Sequence, residues 1–472
     1  HFFTRTKIVA TLGPATNSYE TIVKLIESGM NIARINFSHG TAKEHLETFY
    51  RIKKAREEKQ VCIPILLDTK GAEVRLGQIP GGEKQIHPHD TLWLSYSPVQ
   101  GSEPYVPLYP KEVLSSLKTG MHILIDDGKI KATIKEVRKE AVLLLFEQEA
   151  ILKSGKSVHI PEASFSLPLL SEEDREDIIL GCKEGADIIA ASFISYPEQM
   201  REIKKIVKEQ GREDIALIAK IESREGVANF EYILAEAEGI MVARGDLGVE
   251  FPLEEIPHLQ KKMIQRCLEE GKPVVTATQM LESMIASPRP TRAEVSDVAN
   301  ALYDGSSCVM LSAETASGKY PVEAVHMMHK IIVETEREIV EEKLLTLDKG
   351  KNFTIEDIPT ALAFSCVSTE RHLKVGAIFV FATKNAFIIK QISRFRPSAP
   401  IIALTPDKKL YNQLGLYWGV IPLLPCKVGN TDKAFSLMRE FALEKGWIKK
   451  GDFIVVVLEE ESGESMMGIR TL

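Results

Sequence analysis

Eight short runs of β-branched and other apolar residues, each followed by a longer stretch of helical periodicity, constrain this chain more than any other feature. They begin near Ile8, Asn31, Cys62, Ile188, Ala216, Gly239, Pro273 and Cys308. Except at one place the spacing is roughly 25 to 35 residues, the length of one strand, one helix and two loops. Eight such units predict an α/β fold, a (β/α)8 TIM barrel.

The exception lies between Asp68 and Ile188, an interval that holds a stretch of about 100 residues, too long for a loop. Alternation such as Thr91-Leu92-Trp93-Leu94, broken by Gly and Pro turn signals, predicts a β-rich domain inserted after the third strand. After Leu311 one more helix is expected, ending in the charged run Glu334 to Lys343, which reads as a solvated helix face. Beyond the polar segment Leu347 to Asn352, helices alternate with apolar strands at Ala377 to Phe381, Pro400 to Leu404, Gly419 to Leu424 and Phe453 to Leu458. These predict a separate C-terminal α/β domain with a mostly parallel sheet. The expected division is 1–69 with 169–343 for the barrel, 70–168 for the insertion and 344–472 for the C-terminal domain.

At 472 residues the chain exceeds a single core, which suits three domains. No apolar run approaches the ~18 residues of a membrane span, and no signal-peptide core is visible. The net charge of −7 is spread without a basic block, which argues against nucleic acid. Six cysteines, none in a Cys-x-x-Cys pair, predict reduced thiols, a cytoplasmic protein and no zinc site. Because the chain opens on His1 rather than Met, a missing or altered start is expected.

Barrel active sites form at the C-terminal ends of the strands, and here those ends are polar. Strand two ends in Arg34-Ile35-Asn36-Phe37-Ser38-His39-Gly40 and strand three in Asp68-Thr69-Lys70-Gly71. Strand five brings Lys220 and Glu222, strand six Arg244-Gly245-Asp246, strand seven Thr276 and Thr278, and strand eight Ser312 and Glu314. Carboxylates that close repel one another, so the pattern calls for a cation, beside a lysine and a glycine-flanked backbone suited to a small anion. Blander readings remain open: Lys220 as a structural ion pair, Asp246 as a helix cap, Asn36, Ser38 and Gly40 as a tight turn. His39 reads more readily as a turn or packing residue, and Thr278 could simply satisfy a backbone carbonyl. Gly245-Asp246-Leu247-Gly248 lacks the spacing of a dinucleotide fingerprint. Ala313 to Lys319 departs from a phosphate loop, with Ala for the first Gly and Tyr320 after the lysine.

The stretches 6–16 (TKIVATLGPAT), 31–40 (NIARINFSHG), 67–75 (LLDTKGAEVR), 219–226 (AKIESREG), 239–250 (GIMVARGDLGVE), 276–285 (TATQMLESMI) and 288–305 (PRPTRAEVSDVANALYDG) closely resemble the signatures of the pyruvate kinase family, over nearly the whole chain. The resemblance implies a barrel interrupted by a β-barrel lid, a C-terminal regulatory domain, and phosphoryl transfer from phosphoenolpyruvate to ADP, giving pyruvate and ATP. It implies Mg²⁺ (or Mn²⁺) at Glu222 and Asp246, and K⁺ at Asn36, Ser38, Asp68 and Thr69, with the acid Glu73 matching K⁺ dependence. It places phosphoenolpyruvate on Arg34, Lys220, Thr278 and the amides of Gly245 and Asp246, with Lys220, Arg34 and Thr278 as the catalytic set. Nucleotide contacts fall on Pro14, Asn36, His39, Arg75 and the inserted-domain Lys156. A homotetramer is the family expectation.

Departures from the family pattern include Ala72 in place of a proline at the lid junction, lost glycines in Lys156 to Glu162, and Ala313. In the C-terminal domain Thr383-Lys384-Asn385-Ala386-Phe387 replaces a loop of Gly and hydroxyl residues, leaving Thr383 and Lys384 as candidate effector contacts. The end of the chain, Ser462-Gly463-Glu464-Ser465-Met466-Met467-Gly468, also strays from the family's effector-side loop and carries extra acids beside it, so weak or absent activation by fructose-1,6-bisphosphate is expected. Two other functions stand beside the kinase: a catalytically weak paralogue that binds metabolites or partners, and a metal-dependent aldolase. The former has no need of the lysine and two acids, and the latter no need of a nucleotide-binding lid.

Overall fold

The computed structural model describes residues 4–101, 104–126, 128–163, 169–341, 355, 357–382, 387–424, 431–459 and 465–472. Thr383, Lys384, the segment Leu347 to Asn352 and the loop Ser462 to Glu464 lie outside them.

Eight parallel strands close into a barrel: Lys7–Leu12, Ile32–Asn36, Ile65–Asp68, Ile188–Ala191, Ala216–Ile221, Gly239–Ala243, Val274–Ala277 and Cys308–Leu311. Each falls on an apolar run of the sequence. Strand one pairs with both strand two and strand eight, which completes the ring. All but the last residue of strand two are buried, because the strands are covered on one face by helices and on the other by one another. Val9, Ile32, Leu66, Ile218, Met241 and Val275 fill the interior. Their neighbours Ile8, Ala33, Leu67 and Ile240 face the helices.

The helices start where their chemistry says they should. Thr41 and Thr291 each accept from the backbone three residues on while Glu44 and Glu294 reach back, forming capping boxes. Gly29 and Gly305 end their helices with φ of +122° and +104°, which side-chain-bearing residues rarely adopt.

The insertion leaves the barrel after Asp68 as a seven-stranded sheet running from Arg75–Leu76 to Val158–His159. Its two edges meet: Leu76 donates to the Lys156 carbonyl at 2.9 Å and Val158 to that of Val74 at 2.8 Å, so the sheet curls into a small barrel. It has its own core, including Val74, Leu94, Leu108, Val142 and Phe146.

The C-terminal sheet has the order Val420–Leu423, Ile401–Leu404, Ala377–Phe381, Phe453–Glu459, Ser465–Thr471. Four strands are parallel as expected. The fifth, absent from the sequence reading, runs antiparallel along the edge. This domain closes the base of the barrel, opposite the polar strand ends. Lys7 Nζ donates to the Val420 carbonyl at 2.7 Å, and Arg396 to that of Gly305 at 2.7 Å, while Arg394 reaches that of Glu269. Both arginines meet the C-terminal ends of barrel helices, where backbone carbonyls concentrate partial negative charge. The charged run after Glu334 is not wholly solvated either, since Glu336 is buried and accepts from the amides of Arg5 and Thr6.

Among the described residues no helix is long and apolar enough to cross a membrane.

Candidate active site

The third strand delivers Asp68 to the barrel mouth, fully buried between two cations. Arg34 Nε donates to its Oδ2 at 2.7 Å and Lys220 Nζ to its Oδ1 at 2.8 Å. Burial would raise the pKa of this carboxyl, but the two cations hold it below the usual range. Arg34 also donates to Thr11 Oγ1 at 2.8 Å, so its guanidinium is fixed in direction.

Lys220 enters from strand five, whose six residues are all buried. Its ammonium meets Asp68, Ser192 Oγ at 2.6 Å and Glu222 Oε1 at 3.2 Å. Burial alone would discharge it, yet Asp68 and Glu222 outweigh that term and keep it protonated. The structural ion pair is thus present, and the ammonium that makes it stays charged at the barrel mouth.

Glu222 and Asp246 come together although 24 residues separate them. Burial pushes Glu222 up to about 7, with Lys220 opposing and Asp246 adding to the shift. Asp246 is raised for the same first reason, its charge disfavoured also by the lid residue Glu73 and favoured by Lys220 and His159. Two adjacent buried acids that resist joint ionisation fit a hard divalent cation, which takes one or two carboxylates and leaves room for substrate oxygens. Among the described residues no cluster of three or more His, Cys, Asp or Glu offers a closed metal cage. Asp246 does not cap its helix, since Ala243 stands at that position.

Strands six and seven meet at a strained corner. Gly245 N–H donates to Thr278 Oγ1 at 2.7 Å, and that hydroxyl donates to the Ala277 carbonyl at 2.7 Å. Thr278 and Gln279 have φ of +66° and +55°, a costly conformation for residues with a Cβ. Arg244 holds the corner by donating to the Thr278 carbonyl at 2.6 Å while pairing with Asp297 at 2.8 Å.

Asn36 and Asp68 are register partners side by side on the rim, and Ser38 and Thr69 follow them in the two loops. Asn36 Oδ1 accepts from the Ser38 amide at 3.2 Å, so the tight turn is present as well. Pro14 and His39 are exposed on the loops after strands one and two. In the lid, Arg75 pairs with Glu73 and Lys156 with Asp126 at 2.7 Å.

Two residues expected at the mouth serve elsewhere. Thr276 Oγ1 is hydrogen-bonded to Ser306 at 2.7 Å, on the helix side of its strand. Glu314 accepts from the amides of Leu281 and Ser312, bracing two loops against each other. Conversely, Ser192 and Phe193 went unremarked in the sequence. Ser192 is the first polar residue after strand four, the same signal that marked the other strands. Phe193, at φ +53°, turns its amide onto Glu222 Oε2 at 2.5 Å.

Fold and charge pattern together describe a phosphotransferase built on a barrel. Residues 3–325 match the pyruvate kinase barrel domain and residues 360–468 its alpha/beta domain. The chain thus belongs to the pyruvate kinase family. It is 39% identical to the pyruvate kinase of Clostridium acetobutylicum over 453 residues, covering 96% of this chain and 95% of the relative. Against that of Geobacillus stearothermophilus the identity is 41% over 464 residues, with 98% and 78% covered. Against that of Chlamydia trachomatis serovar L2 it is 42% over 454 residues, with 96% and 93% covered.

Proposed function

We propose that this barrel mouth moves the phosphoryl group of phosphoenolpyruvate to ADP, giving pyruvate and ATP in glycolysis. The observation that carries the reading is the buried Lys220 ammonium, held charged beside the Glu222 and Asp246 pair. A transferring phosphoryl spreads charge over three oxygens, and a preorganised cation in a low-dielectric pocket lowers that barrier.

Arg34 and Lys220 bind and follow the phosphoryl group. The carboxylate of phosphoenolpyruvate competes with Thr278 Oγ1 for the Gly245 N–H, and the neighbouring Asp246 amide adds a second donor. Glu222 and Asp246 would hold Mg²⁺ or Mn²⁺, which supplies positive charge to the phosphoryl oxygens. Asn36, Ser38, Asp68 and Thr69 would hold K⁺, supported by the register pairing of Asn36 with Asp68 and by the negative charge of Asp68, with Glu73 in the lid. Pro14, Asn36, His39, Arg75 and Lys156 line the path of the nucleotide between barrel and lid, the two lid cations exchanging their present acids for phosphate. Enolate protonation is assigned to a water relay near Thr278 and Ser312; the Ser312 hydroxyl is buried with no hydrogen-bond partner among the described residues. Unchanged enolate protonation in both Thr278→Ala and Ser312→Ala chains would refute that relay.

The lid is taken as 70–168 and the C-terminal regulatory domain as 344–472. The protein is placed in the cytoplasm as a homotetramer, for which the exposed Met466 and Ile469 on the edge strand Ser465–Thr471 offer an apolar surface.

A coupled assay with phosphoenolpyruvate, ADP, Mg²⁺ and K⁺ tests the activity. Turnover is expected only with all four, and no turnover in their presence would overturn the reading. Fructose-1,6-bisphosphate is expected to leave the phosphoenolpyruvate saturation curve in place, whereas a clear leftward shift would contradict the regulatory part.

A further inference from the structure

The end of strand four carries a group that the proposed reaction has not used. Ser192 is buried, and its amide and hydroxyl are both engaged by the residues around Asp68 and Lys220. Its amide donates to Thr69 Oγ1 at 3.1 Å and its hydroxyl to the Thr69 carbonyl at 2.6 Å, with Asp68 Oδ1 a longer alternative at 3.3 Å. The same oxygen accepts from Lys220 Nζ at 2.6 Å. We propose that Ser192 is a positioning residue for phosphoryl transfer, acting through Lys220. The inference rests on Lys220 being the cation that follows the phosphoryl group.

An ammonium has three protons to donate, and in Lys220 two of them go to Asp68 and Ser192. Glu222 lies 3.2 Å away as an ion-pair partner outside hydrogen-bond geometry, so the third proton is available to grip a phosphoryl oxygen. Asp68 is anchored from its other oxygen by Arg34. Ser192 supplies the uncharged acceptor of the two. It fixes direction without neutralising charge, so the ammonium stays strongly positive towards the substrate. Without that hydroxyl the flexible lysine stem would swing onto the two carboxylates, where attraction is strongest but transfer is not served.

The surrounding backbone keeps the hydroxyl from turning. Phe193 follows at φ +53° with its amide on Glu222, and the lid hinge passes directly over the pair. A Cβ added at Gly71 would lie 2.8 Å from Ser192 Cβ and 2.7 Å from the Phe193 ring. Ser192 thus sits between the transfer lysine, the candidate K⁺ residue Thr69 and the first turn of the lid.

The test compares Ser192→Ala, Ser192→Thr and Lys220→Met in the full chain, with kcat and KM for phosphoenolpyruvate measured separately and the thermal midpoint followed alongside. Losing one hydrogen bond to a charged group should lower kcat of Ser192→Ala on the order of tenfold to hundredfold. Its KM should change by less than about threefold, since the interaction matters in the transition state rather than in binding. Ser192→Thr keeps the hydroxyl and should recover most of the rate. Native kcat in Ser192→Ala, or a loss that falls on KM instead, overturns the proposal. Should Ser192→Ala fail to fold, the threonine chain decides: a near-native kcat supports the proposal and a large loss overturns it. Native kcat in Lys220→Met would sink the reading of the site itself, and Ser192 with it, independently of either serine variant.

Discussion

Lys220 shows how one residue resolves two readings that its sequence context left open. Buried on a strand, it needs carboxylate neighbours to remain charged, and those neighbours keep the charge available at the mouth of the barrel. Replacing it with methionine removes the charge while keeping most of the apolar stem. We expect the coupled assay to register a kcat lower by ~10³ to 10⁵, by analogy with transferred-phosphoryl cations elsewhere. A loss below tenfold would sink the reading of Lys220 as the cation that follows the phosphoryl group. Polar side chains near strand ends were legible in the sequence, but the strand face on which they project was not. Thr276 and Thr278 would share a face of a regular strand, yet Thr276 bonds to Ser306 on the helix side. Thr278 lies past the strand end at φ +66°, where the broken pleat re-aims its side chain. Glu314 is a loop brace for a similar reason, its position after strand eight saying nothing about which amides would reach it.

The junction into the lid is an element fixed by close packing and by one helix. Gly71 has φ +81° and no room for a side chain, while its amide donates to Asp174 Oδ1 at 3.0 Å. Lys70 pairs with Glu173 at 2.8 Å, so helix Glu172–Glu184 anchors the start of the insertion. Gly71→Ala should therefore cost about 1 to 3 kcal/mol in urea unfolding and lower activity as well. A stability unchanged from native would show that the hinge relaxes freely. On the same helix, Asp177 titrates in an acidic setting. Burial, then Asp174 and Glu173, push it up to about 6, against the opposing pull of Lys70. The folded state thus holds this proton more tightly than the unfolded chain. Its contribution is full below the unfolded value near 4, falls as pH rises, and is gone above about 6. Asp177→Asn should be more stable than native at pH 7.5 by about 1 kcal/mol or less, the half-exposed site being screened by solvent. The difference should vanish at pH 4, and urea titrations at the two pH values measure it; a gap that widened on acidification would reverse the sign of this reading.

At the scale of the molecule, the barrel is open to chemistry at one end and sealed by the C-terminal domain at the other. Arg396 is central to the seal: its guanidinium donates to the Gly305 carbonyl and to Ser307 Oγ at 3.2 Å and stacks 4.5 Å from the Trp418 ring centroid. Arg396→Met would leave that helix end unsatisfied inside the interface. We expect a loss of roughly 1 to 3 kcal/mol in stability with little change in kcat at 25 °C. Thermal unfolding read from tryptophan fluorescence would show it, and an unshifted midpoint would mean that water replaces the arginine without penalty.

The order of strands and helices, the insertion, and the polar ends of the barrel strands all came from the sequence alone. They are local properties, set by which residues are apolar, at what period, and where glycine or a capping residue interrupts them. Resemblance to known motifs then supplied the chemistry. Tertiary structure decided what no local pattern encodes: that Ser192 completes the shell of Lys220, that Glu222 and Asp246 lie together in a buried pocket, and that basic side chains of one domain end the helices of another. Such relations join residues far apart in the chain. They depend on burial, register and the direction of individual side chains, which exist only once the barrel has closed.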